Sequence, residues 1–124
     1  MRQKEKSHRI KGASMFACAG IGETYFGDAG IDIVVANELI PKRCDFYRFM
    51  YPNSNMITGD ITDKKIKKKF INSIDDDVKF LIATPPCQGI SNLGKNKDLD
   101  AKLKDPRNYL IFDTLDVMDA KDFD

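Results

Sequence analysis

The sequence predicts an α/β fold built on an open parallel sheet. Short apolar runs alternate with stretches that carry helix start and stop signals, and this alternation is typical of parallel strands joined by right-handed crossovers. A glycine-rich stretch, Gly20-Ile21-Gly22, follows the first apolar run. Glycines at this place are typical of a strand that leads into a helix whose N-terminus binds a ligand. The predicted order is β-α-β-α-β-α-β, followed by a long loop and a last helix.

The first crossover is predicted from residues 14–30. Residues 14–18 form a short apolar strand, and residues 20–22 form a turn. Residues 23–29 can then form a helix, which Gly30 ends, because glycine is the usual residue just past a helix C-terminus.

The second strand and its helix follow directly. Residues 31–36 are nearly all apolar, as expected of a strand that is covered on both faces. Pro41 suits the first turn of a helix, where a missing N–H costs nothing, and Pro52 ends this helix after about Tyr51. Residues 55–58 form a weak third strand.

The next part of the chain repeats the alternation. Thr62 or Asp63 caps a lysine-rich helix that runs to about Ile74, and residues 78–83 form the fourth strand. Residues 85–106 lack periodicity, and long loops of this kind in compact domains are often functional.

The end of the sequence is predicted to be helical and then extended. Pro106 or Arg107 opens a helix that reaches about Met118, and residues 122–124 resemble the lead-in to a further strand. We therefore expect an incomplete sheet, which is either truncated or completed by a partner chain. Its exposed edge should favour self-association, because unpaired strand edges bind other strands.

Composition narrows the class of protein. With 42% hydrophobic and 31% charged residues and a net charge of +1, the 124 residues are typical of one globular domain. The sequence has no apolar run of about 18 residues, so we expect no membrane partner. The three cysteines are not spaced like metal ligands, so we expect no metal. Their odd number, without an apolar signal core, predicts reduced thiols in the cytoplasm.

Positive charge is concentrated in two runs. Residues 1–12 form a basic leader ahead of the domain, which we place at residues 13–124, and residues 64–69 read KKIKKK. Each run is either a solvated face or a nucleic-acid contact. Lys95 and Lys97, in the long loop, either meet phosphate or face solvent.

Three positions after the predicted strands suggest a nucleoside ligand. A dinucleotide-binding loop needs a third glycine where this chain has Tyr25, so a nucleoside joined to a small zwitterion fits as well, and S-adenosylmethionine has that shape. Glu38, at the end of the second strand, either accepts hydrogen bonds from ribose hydroxyls or caps the helix near Pro41. Asp60, after the third strand, either receives an adenine amino group or shapes a turn.

Cys87 is the candidate nucleophile. Ligands of open parallel sheets bind beyond the carboxyl ends of the strands where the strand order reverses, which the usual winding places between the first and fourth strands. Pro85-Pro86-Cys87 would therefore place a thiol opposite the glycines. A thiolate that adds to carbon 6 of a pyrimidine makes carbon 5 able to take a methyl group. The alternative is that Cys87 is an inert buried thiol.

Five motifs follow one another along residues 14–117: Phe16-Ala17-Cys18-Ala19-Gly20-Ile21-Gly22, Ala36-Asn37-Glu38, Gly59-Asp60-Ile61-Thr62, Pro85-Pro86-Cys87-Gln88-Gly89-Ile90-Ser91 and Asp105-Pro106-Arg107-Asn108. In order and spacing they resemble the motifs of the 5-methylcytosine (C5) DNA methyltransferases. The resemblance implies the N-terminal part of a catalytic domain with the Rossmann-like fold of S-adenosylmethionine-dependent methyltransferases. It also implies methylation of a flipped cytosine at carbon 5 in double-stranded DNA, in a restriction-modification setting.

The resemblance implies a role for each motif. Phe16 would stack on the adenine of S-adenosylmethionine, Glu38 would bind its ribose, and Cys87 would be the nucleophile. Further cofactor contacts are implied at Ala17, Gly20, Ile21, Gly22, Leu39, Asp60, Ile61 and Pro86. Contacts with DNA or the flipped base are implied at Gln88, Ser91 and Arg107.

Enzymes of this family also need a glutamate that assists base activation, an arginine motif, a target-recognition region and a final segment of the cofactor pocket. We therefore expect this chain to hold the first part of the machinery, without a target-recognition domain, and to be inactive alone. Two alternatives remain open. The chain is a non-catalytic cofactor-binding subunit or fragment of a split methyltransferase, or it comes from a relative that methylates cytosine in tRNA.

Overall fold

Four parallel strands form the centre of the computed structural model, which describes residues 8–86 and 104–124. The strands are β1 (Ile10–Met15), β2 (Ile31–Glu38), β3 (Asn55–Thr58) and β4 (Val78–Ala83). The helices are α1 (Pro41–Met50), α2 (Lys64–Asn72) and α3 (Leu110–Ala120), with 3-10 helices at Ile21–Glu23 and Pro106–Tyr109. The predicted α/β fold with an open parallel sheet is confirmed.

The strand order, β3-β2-β1-β4, reverses between β1 and β4, as expected. Met15, the last residue of β1, pairs with Asn37 of β2 and with Ala83 of β4. Glu38, at the end of β2, pairs with Thr58 of β3. The four carboxyl ends therefore lie side by side, which is where ligands of open parallel sheets bind.

Two apolar clusters hold the helices to the sheet. The larger packs α2 and α3 against the strands and includes Met15, Ile57, Phe70 and Val117. The smaller packs α1 and is built from Ala17, Ala36, Cys44, Tyr47 and Met56. Helices therefore pack against the sheet through both clusters, and the packed sheet positions the loops that follow the carboxyl ends of its strands.

Of the two predicted caps, Thr62 and Asp63, it is Asp63 that caps the lysine-rich helix α2, which ends at Asn72, two residues before the predicted end. Oδ1 of Asp63 accepts hydrogen bonds from the N–H groups of Lys65 (2.7 Å) and Ile66 (3.3 Å). On the next turn, Nζ of Lys67 lies 2.8 Å from Asp113 and 2.6 Å from Asp116 of α3. One lysine of the basic run therefore joins two helices.

Strand β1 begins earlier than predicted, inside the stretch expected to be a basic leader. It starts at Ile10, and two of the leader's cations pair with acids at the start of neighbouring strands. Arg9 lies 2.7 Å from Asp32 and Lys11 lies 2.5 Å from Asp77. The strand also ends earlier, at Met15 rather than at residue 18, because the backbone after it turns into the left-handed region.

The helix predicted over residues 23–29 does not form. The 3-10 helix Ile21–Glu23 is followed by turns, with hydrogen bonds from Phe26 N–H to the Glu23 carbonyl and from Gly30 N–H to the Gly27 carbonyl. Glycine at position 27 disfavours helix. Tyr25 is 76% exposed, so the segment has no continuous apolar stripe to pack as an α-helix would.

The last residues run beside β4. The N–H of Asp124 donates to the Lys79 carbonyl at 2.9 Å, and Phe123 packs against the larger apolar cluster. Nζ of Lys79 lies 3.4 Å from the Asp122 carboxylate. Residues 122–124 do not form a strand, and the predicted lead-in to a further strand stays a prediction. No helix within the described residues has the length and hydropathy of a membrane span.

Candidate functional site

The loops after β1 and β4 lie next to each other at the carboxyl edge of the sheet. The N–H of Thr84 lies 3.4 Å from the Met15 carbonyl, and its Oγ1 donates to the Phe16 carbonyl at 3.2 Å. The chain continues from Thr84 through Pro85 and Pro86, which is exposed. Cys87 lies outside the described residues. The loops after β1 and β4 are therefore neighbours, as predicted, and a donor-binding crevice between them stays a prediction.

The loop that follows β1, residues 16–22, is here called the glycine loop. Its backbone enters the left-handed region at Phe16 (φ 57°), Cys18 (φ 53°) and Gly20 (φ 76°). Residues with a Cβ pay about 1–2 kcal/mol for this conformation. Such strain persists only where surrounding contacts hold it, and it is concentrated at functional sites.

Two tyrosines contact Gly20: Tyr47 within α1 and Tyr51 at the C-cap of this helix. The hydroxyl of Tyr51 donates to the Gly20 carbonyl at 2.7 Å. A Cβ on Gly20 would lie 2.3 Å from Cε2 of Tyr51 and 3.0 Å from the ring of Tyr47. At Gly22, by contrast, a Cβ would have no neighbour within 4 Å. One side of the glycine loop is thus packed against protein, and the other is open to a ligand.

Glu38 joins the glycine loop to the start of α1. Its Oε2 accepts from the N–H of Cys18 at 2.8 Å, and its Oε1 accepts from the N–H of Ile40, the N-cap residue of α1, at 3.0 Å. Nη1 of Arg43 lies 3.9 Å from Oε1. Glu38 is only 5% exposed. A carboxylate offers about four acceptor positions, so this structural role leaves capacity for ribose hydroxyls.

Asn37 was not among the residues predicted to belong to the site. Its Nδ2 donates to the carbonyls of Ile57 (2.9 Å) and Gly59 (3.1 Å), and the side chain is buried. It therefore fixes the end of β3 against β2. The only signal in the sequence is a polar residue at the end of an otherwise apolar strand.

Asp60 shapes the turn after β3. Its Oδ1 accepts from the N–H (2.9 Å) and from the hydroxyl (2.7 Å) of Thr62. The residue is exposed, so a ligand can still reach the carboxylate. The side chain of Ile61 is 3% exposed and lies in the larger apolar cluster, so this residue can meet a ligand only through its backbone.

The remaining predicted cofactor residues differ in exposure. Leu39 and Ile21 are 59% and 78% exposed, and both are apolar side chains at the surface. Phe16 is half-buried against the larger apolar cluster, and Ala17 is buried. A carboxylate for hydroxyls, exposed apolar side chains for a base and an open glycine backbone fit a nucleoside joined to a small zwitterion.

Of the residues predicted to meet DNA, Arg107 is described and Gln88, Ser91, Lys95 and Lys97 are outside the described residues. The guanidinium of Arg107 is paired with Asp105, with Nε 2.9 Å from Oδ1 and Nη2 2.5 Å from Oδ2. Asp105 also accepts from the Arg107 N–H at 3.0 Å and caps the 3-10 helix. Arg107 is therefore held rigidly at the start of the C-terminal helical segment.

Glu23 is the second residue that the sequence interpretation missed. Its carboxylate is buried and accepts hydrogen bonds from the hydroxyls of Ser14 and Tyr47. Burial raises the pKa of Glu23 despite these two bonds, and burial together with Glu23 raises the pKa of Tyr47. The sequence places Glu23 only at the start of a helix, and no local pattern distinguishes it from a solvent-facing glutamate.

The chain is similar in sequence to a known protein family. A family model described as C-5 cytosine-specific DNA methylase matches residues 10–122. The Type II methyltransferase M1.HgaI of Avibacterium volantium is 53% identical over 103 residues, which is 82% of this chain and 29% of that protein. The Type II methyltransferase M.AquIA of Picosynechococcus sp. is 33% identical over 109 residues, 85% of this chain and 42% of that protein. This chain thus spans less than half the length of either relative.

The chain is also similar in backbone course to solved structures. The TehB-like SAM-dependent methyltransferase from Corynebacterium glutamicum aligns with a TM-score of 0.45 and 17% sequence identity, over 74% of this chain and 42% of that chain.

Proposed function

Because this chain belongs to the C-5 cytosine-specific DNA methylase family, we propose that it is the part of a DNA (cytosine-5)-methyltransferase that binds the methyl donor and carries the nucleophile. Membership of the family implies S-adenosyl-L-methionine as that donor. The observation that carries the proposal is the hydrogen bond of 3.2 Å from Thr84 Oγ1 to the Phe16 carbonyl. This hydrogen bond holds Thr84, three residues before Cys87, beside the glycine loop.

The donor would be held by residues from three strand ends. Glu38 would accept hydrogen bonds from the ribose hydroxyls, with Leu39 and Phe16 against the adenine and Asp60 at its amino group. The open side of Gly20-Ile21-Gly22 would face the methionine part, and Pro86 would close the crevice from β4. These roles agree with the exposure of Leu39 and Asp60 and with the open space at Gly22.

When bound, the donor supplies a methyl group on a sulfonium sulfur. The Cys87 thiolate adds to carbon 6 of a cytosine that has been flipped out of the duplex, because the ring carbons cannot be reached in the stack. Carbon 5 then has enamine character and takes the methyl group. The sulfur–methyl bond breaks and leaves the neutral thioether S-adenosylhomocysteine. Loss of the carbon 5 proton to solvent then expels the Cys87 thiolate from carbon 6 and restores the aromatic ring.

We further propose that this chain is inactive without residues outside it, supplied by a longer protein or by a partner chain. Such residues would bind double-stranded DNA and assist base activation, with Gln88, Ser91 and Arg107 contributing from this chain. The family model that matches this chain is described as a DNA methylase, which favours DNA over tRNA as the substrate. A location in the cytoplasm stays a prediction.

Trapping on 5-fluorocytosine DNA tests the nucleophile. Fluorine cannot leave carbon 5 as a proton does, so the bond between the enzyme and carbon 6 persists after methyl transfer. The native protein purified from its source cells should form a denaturation-resistant complex, and its Cys87→Ser variant should form none. Cys44→Ser is the matched control, since the buried Cys44 thiol lies 3.3 Å from the Glu38 carbonyl and serine can keep this hydrogen bond. Trapping by Cys87→Ser would contradict the proposal.

The alternative is that this chain is a non-catalytic donor-binding subunit, and the trapping experiment distinguishes it from the proposed enzyme. It predicts that S-adenosylhomocysteine binds but that no complex with 5-fluorocytosine DNA forms at Cys87, even when every native partner is present. The intact mass of the protein in its source cells identifies which polypeptide must be used for the trapping.

A further inference from the structure

The carboxylate of Glu23 joins three elements. One oxygen accepts a hydrogen bond from the Ser14 hydroxyl on β1, and the other accepts from the Tyr47 hydroxyl on α1. Glu23 itself ends the 3-10 helix Ile21–Glu23, which begins inside the glycine loop, and it is 5% exposed. A buried carboxylate whose oxygens are both hydrogen-bonded fixes the groups around it, because leaving them unpaired is costly.

These contacts lead directly to the glycine loop. The N–H of Glu23 donates to the Gly20 carbonyl at 3.1 Å, and the hydroxyl of Tyr51 donates to the same carbonyl at 2.7 Å. The rings of Tyr47 and Tyr51 have centroids 4.8 Å apart, and both press against the Cα side of Gly20. The position of the Tyr47 ring, which Glu23 fixes, therefore sets where Gly20 rests.

We propose that Glu23 is a positioning residue for donor binding: through Ser14 and Tyr47 it holds the glycine loop in the conformation that accepts S-adenosylmethionine. The inference rests on the proposed function, because it assumes that the donor binds at this loop. Glu23 lies on the packed side of the loop and does not touch the donor. It acts through the tyrosine rings and the Gly20 backbone.

The glycine loop needs such support because its conformation is unfavourable on its own. Phe16 and Cys18 have positive φ angles without being glycine. On the donor side, the loop is held through the Cys18 N–H by Glu38. Glu23 supplies the matching restraint at the other end of the loop, so the two carboxylates fix it between β1, β2 and α1.

Titration with S-adenosylhomocysteine compares the native wild-type protein with its Glu23→Ala, Glu23→Gln and Asp113→Ala variants, all made as the polypeptide found in the source cells and first shown to be folded by circular dichroism. Glu23→Ala should weaken binding about tenfold or more, as expected when two buried hydroxyls lose their acceptor. Glu23→Gln should recover most of the affinity, because an amide can keep contact with both hydroxyls by accepting from one and donating to the other.

Asp113→Ala is the matched control. This acid is also largely buried, with 13% of its side chain exposed, and it pairs with Lys67 on the α2 and α3 side of the sheet. Its removal should lower stability and leave the affinity for S-adenosylhomocysteine unchanged.

Amide hydrogen exchange gives a readout without ligand. The N–H of Gly20 donates to the Ala17 carbonyl at 2.9 Å, and Glu23→Ala should speed its exchange while leaving the amides of α2 at their wild-type rates. Wild-type affinity in a folded Glu23→Ala variant would overturn the positioning role alone. Equal losses in Glu23→Ala and Asp113→Ala would overturn it too. A native wild-type protein, with every native partner present, that does not bind S-adenosylhomocysteine would overturn the proposed function, and this inference with it.

Discussion

The backbone N–H of Cys18 lies 2.8 Å from Oε2 of Glu38, so the carboxylate proposed to bind the donor ribose also holds the glycine loop. Its other oxygen accepts from the N–H of Ile40 at 3.0 Å. One side chain thus connects the loop after β1, the end of β2 and the start of α1. A mutation at Glu38 therefore acts on the ligand contact and on the shape of the loop together.

Glu38→Ala should weaken S-adenosylhomocysteine binding by about 1–3 kcal/mol, the usual cost of leaving buried polar partners unsatisfied. Isothermal titration measures the change. Glu38→Gln should fall between wild type and alanine, because one amide oxygen remains as an acceptor. Unchanged affinity in Glu38→Ala would place the donor elsewhere on the protein.

Gly20→Ala should destabilise the chain. The new Cβ would lie 2.3 Å from Cε2 of Tyr51, and φ at this position is 76°. We expect a loss of about 1–2 kcal/mol for the backbone conformation and about 1–3 kcal/mol for overpacking. Urea unfolding measures it. Gly22→Ala is the control for stability, since its Cβ would meet no atom within 4 Å, and equal losses in both variants would contradict the packing argument.

Asp60→Asn separates the two interpretations of Asp60. An asparagine keeps one side-chain oxygen for the N–H and hydroxyl of Thr62, so the turn after β3 and the stability of the chain should be retained. Its other group is an amide that donates and cannot accept from an adenine amino group. If Asp60 binds adenine, affinity for S-adenosylhomocysteine should fall about tenfold at unchanged unfolding free energy. Wild-type affinity in Asp60→Asn would mean that Asp60 only shapes the turn after β3.

The buried Glu23 should make stability depend on pH in an unusual direction. Burial raises its pKa above the ordinary value of 4.5, so the folded state keeps a proton that the unfolded state has lost. Its contribution to stability is then fully present below pH 4.5 and is lost as pH rises through the folded pKa. The unfolding free energy of wild type minus that of Glu23→Gln should therefore decrease with rising pH.

Urea unfolding of both proteins across the acid to neutral range measures this difference. Hydrogen bonds from Arg9 to Asp32 and from Lys11 to Asp77 lower the pKa of those carboxylates, so they contribute the opposite trend. Both pairs are present in each protein and cancel in the subtraction. A difference that is flat or increases with pH would contradict a raised pKa of Glu23.

The outer edge of β4 should promote self-association of the 124-residue chain. Asp124 N–H pairs with the Lys79 carbonyl, and this contact covers only the start of the strand. Unpaired backbone groups on a strand edge bind other edges. Sedimentation velocity over a concentration series should show an increasing average mass, and a monomer at every concentration would contradict the prediction.

Much of the architecture follows from the sequence, because strands and capped helices leave local patterns. The apolar run of β4 and the short strand β3 have the predicted bounds, and Asp63 caps α2 as expected. The β-α alternation alone predicted the reversal between β1 and β4. It thereby placed the loops after β1 and β4 side by side, which the hydrogen bond from Thr84 to the Phe16 carbonyl confirms.

Tertiary contacts decided what these patterns do not encode. Whether Glu23 faces solvent or the interior depends on Ser14 and Tyr47, which lie 9 and 24 positions away in the chain. With Glu23 facing inward and Gly27 disfavouring helix, residues 21–30 form a 3-10 helix and turns where an α-helix was predicted. Likewise, the contact of Glu38 with the glycine loop depends on the N–H of Cys18, 20 positions away. Periodicity and capping describe neighbours along the chain, whereas these hydrogen bonds depend on which strand ends the sheet brings together.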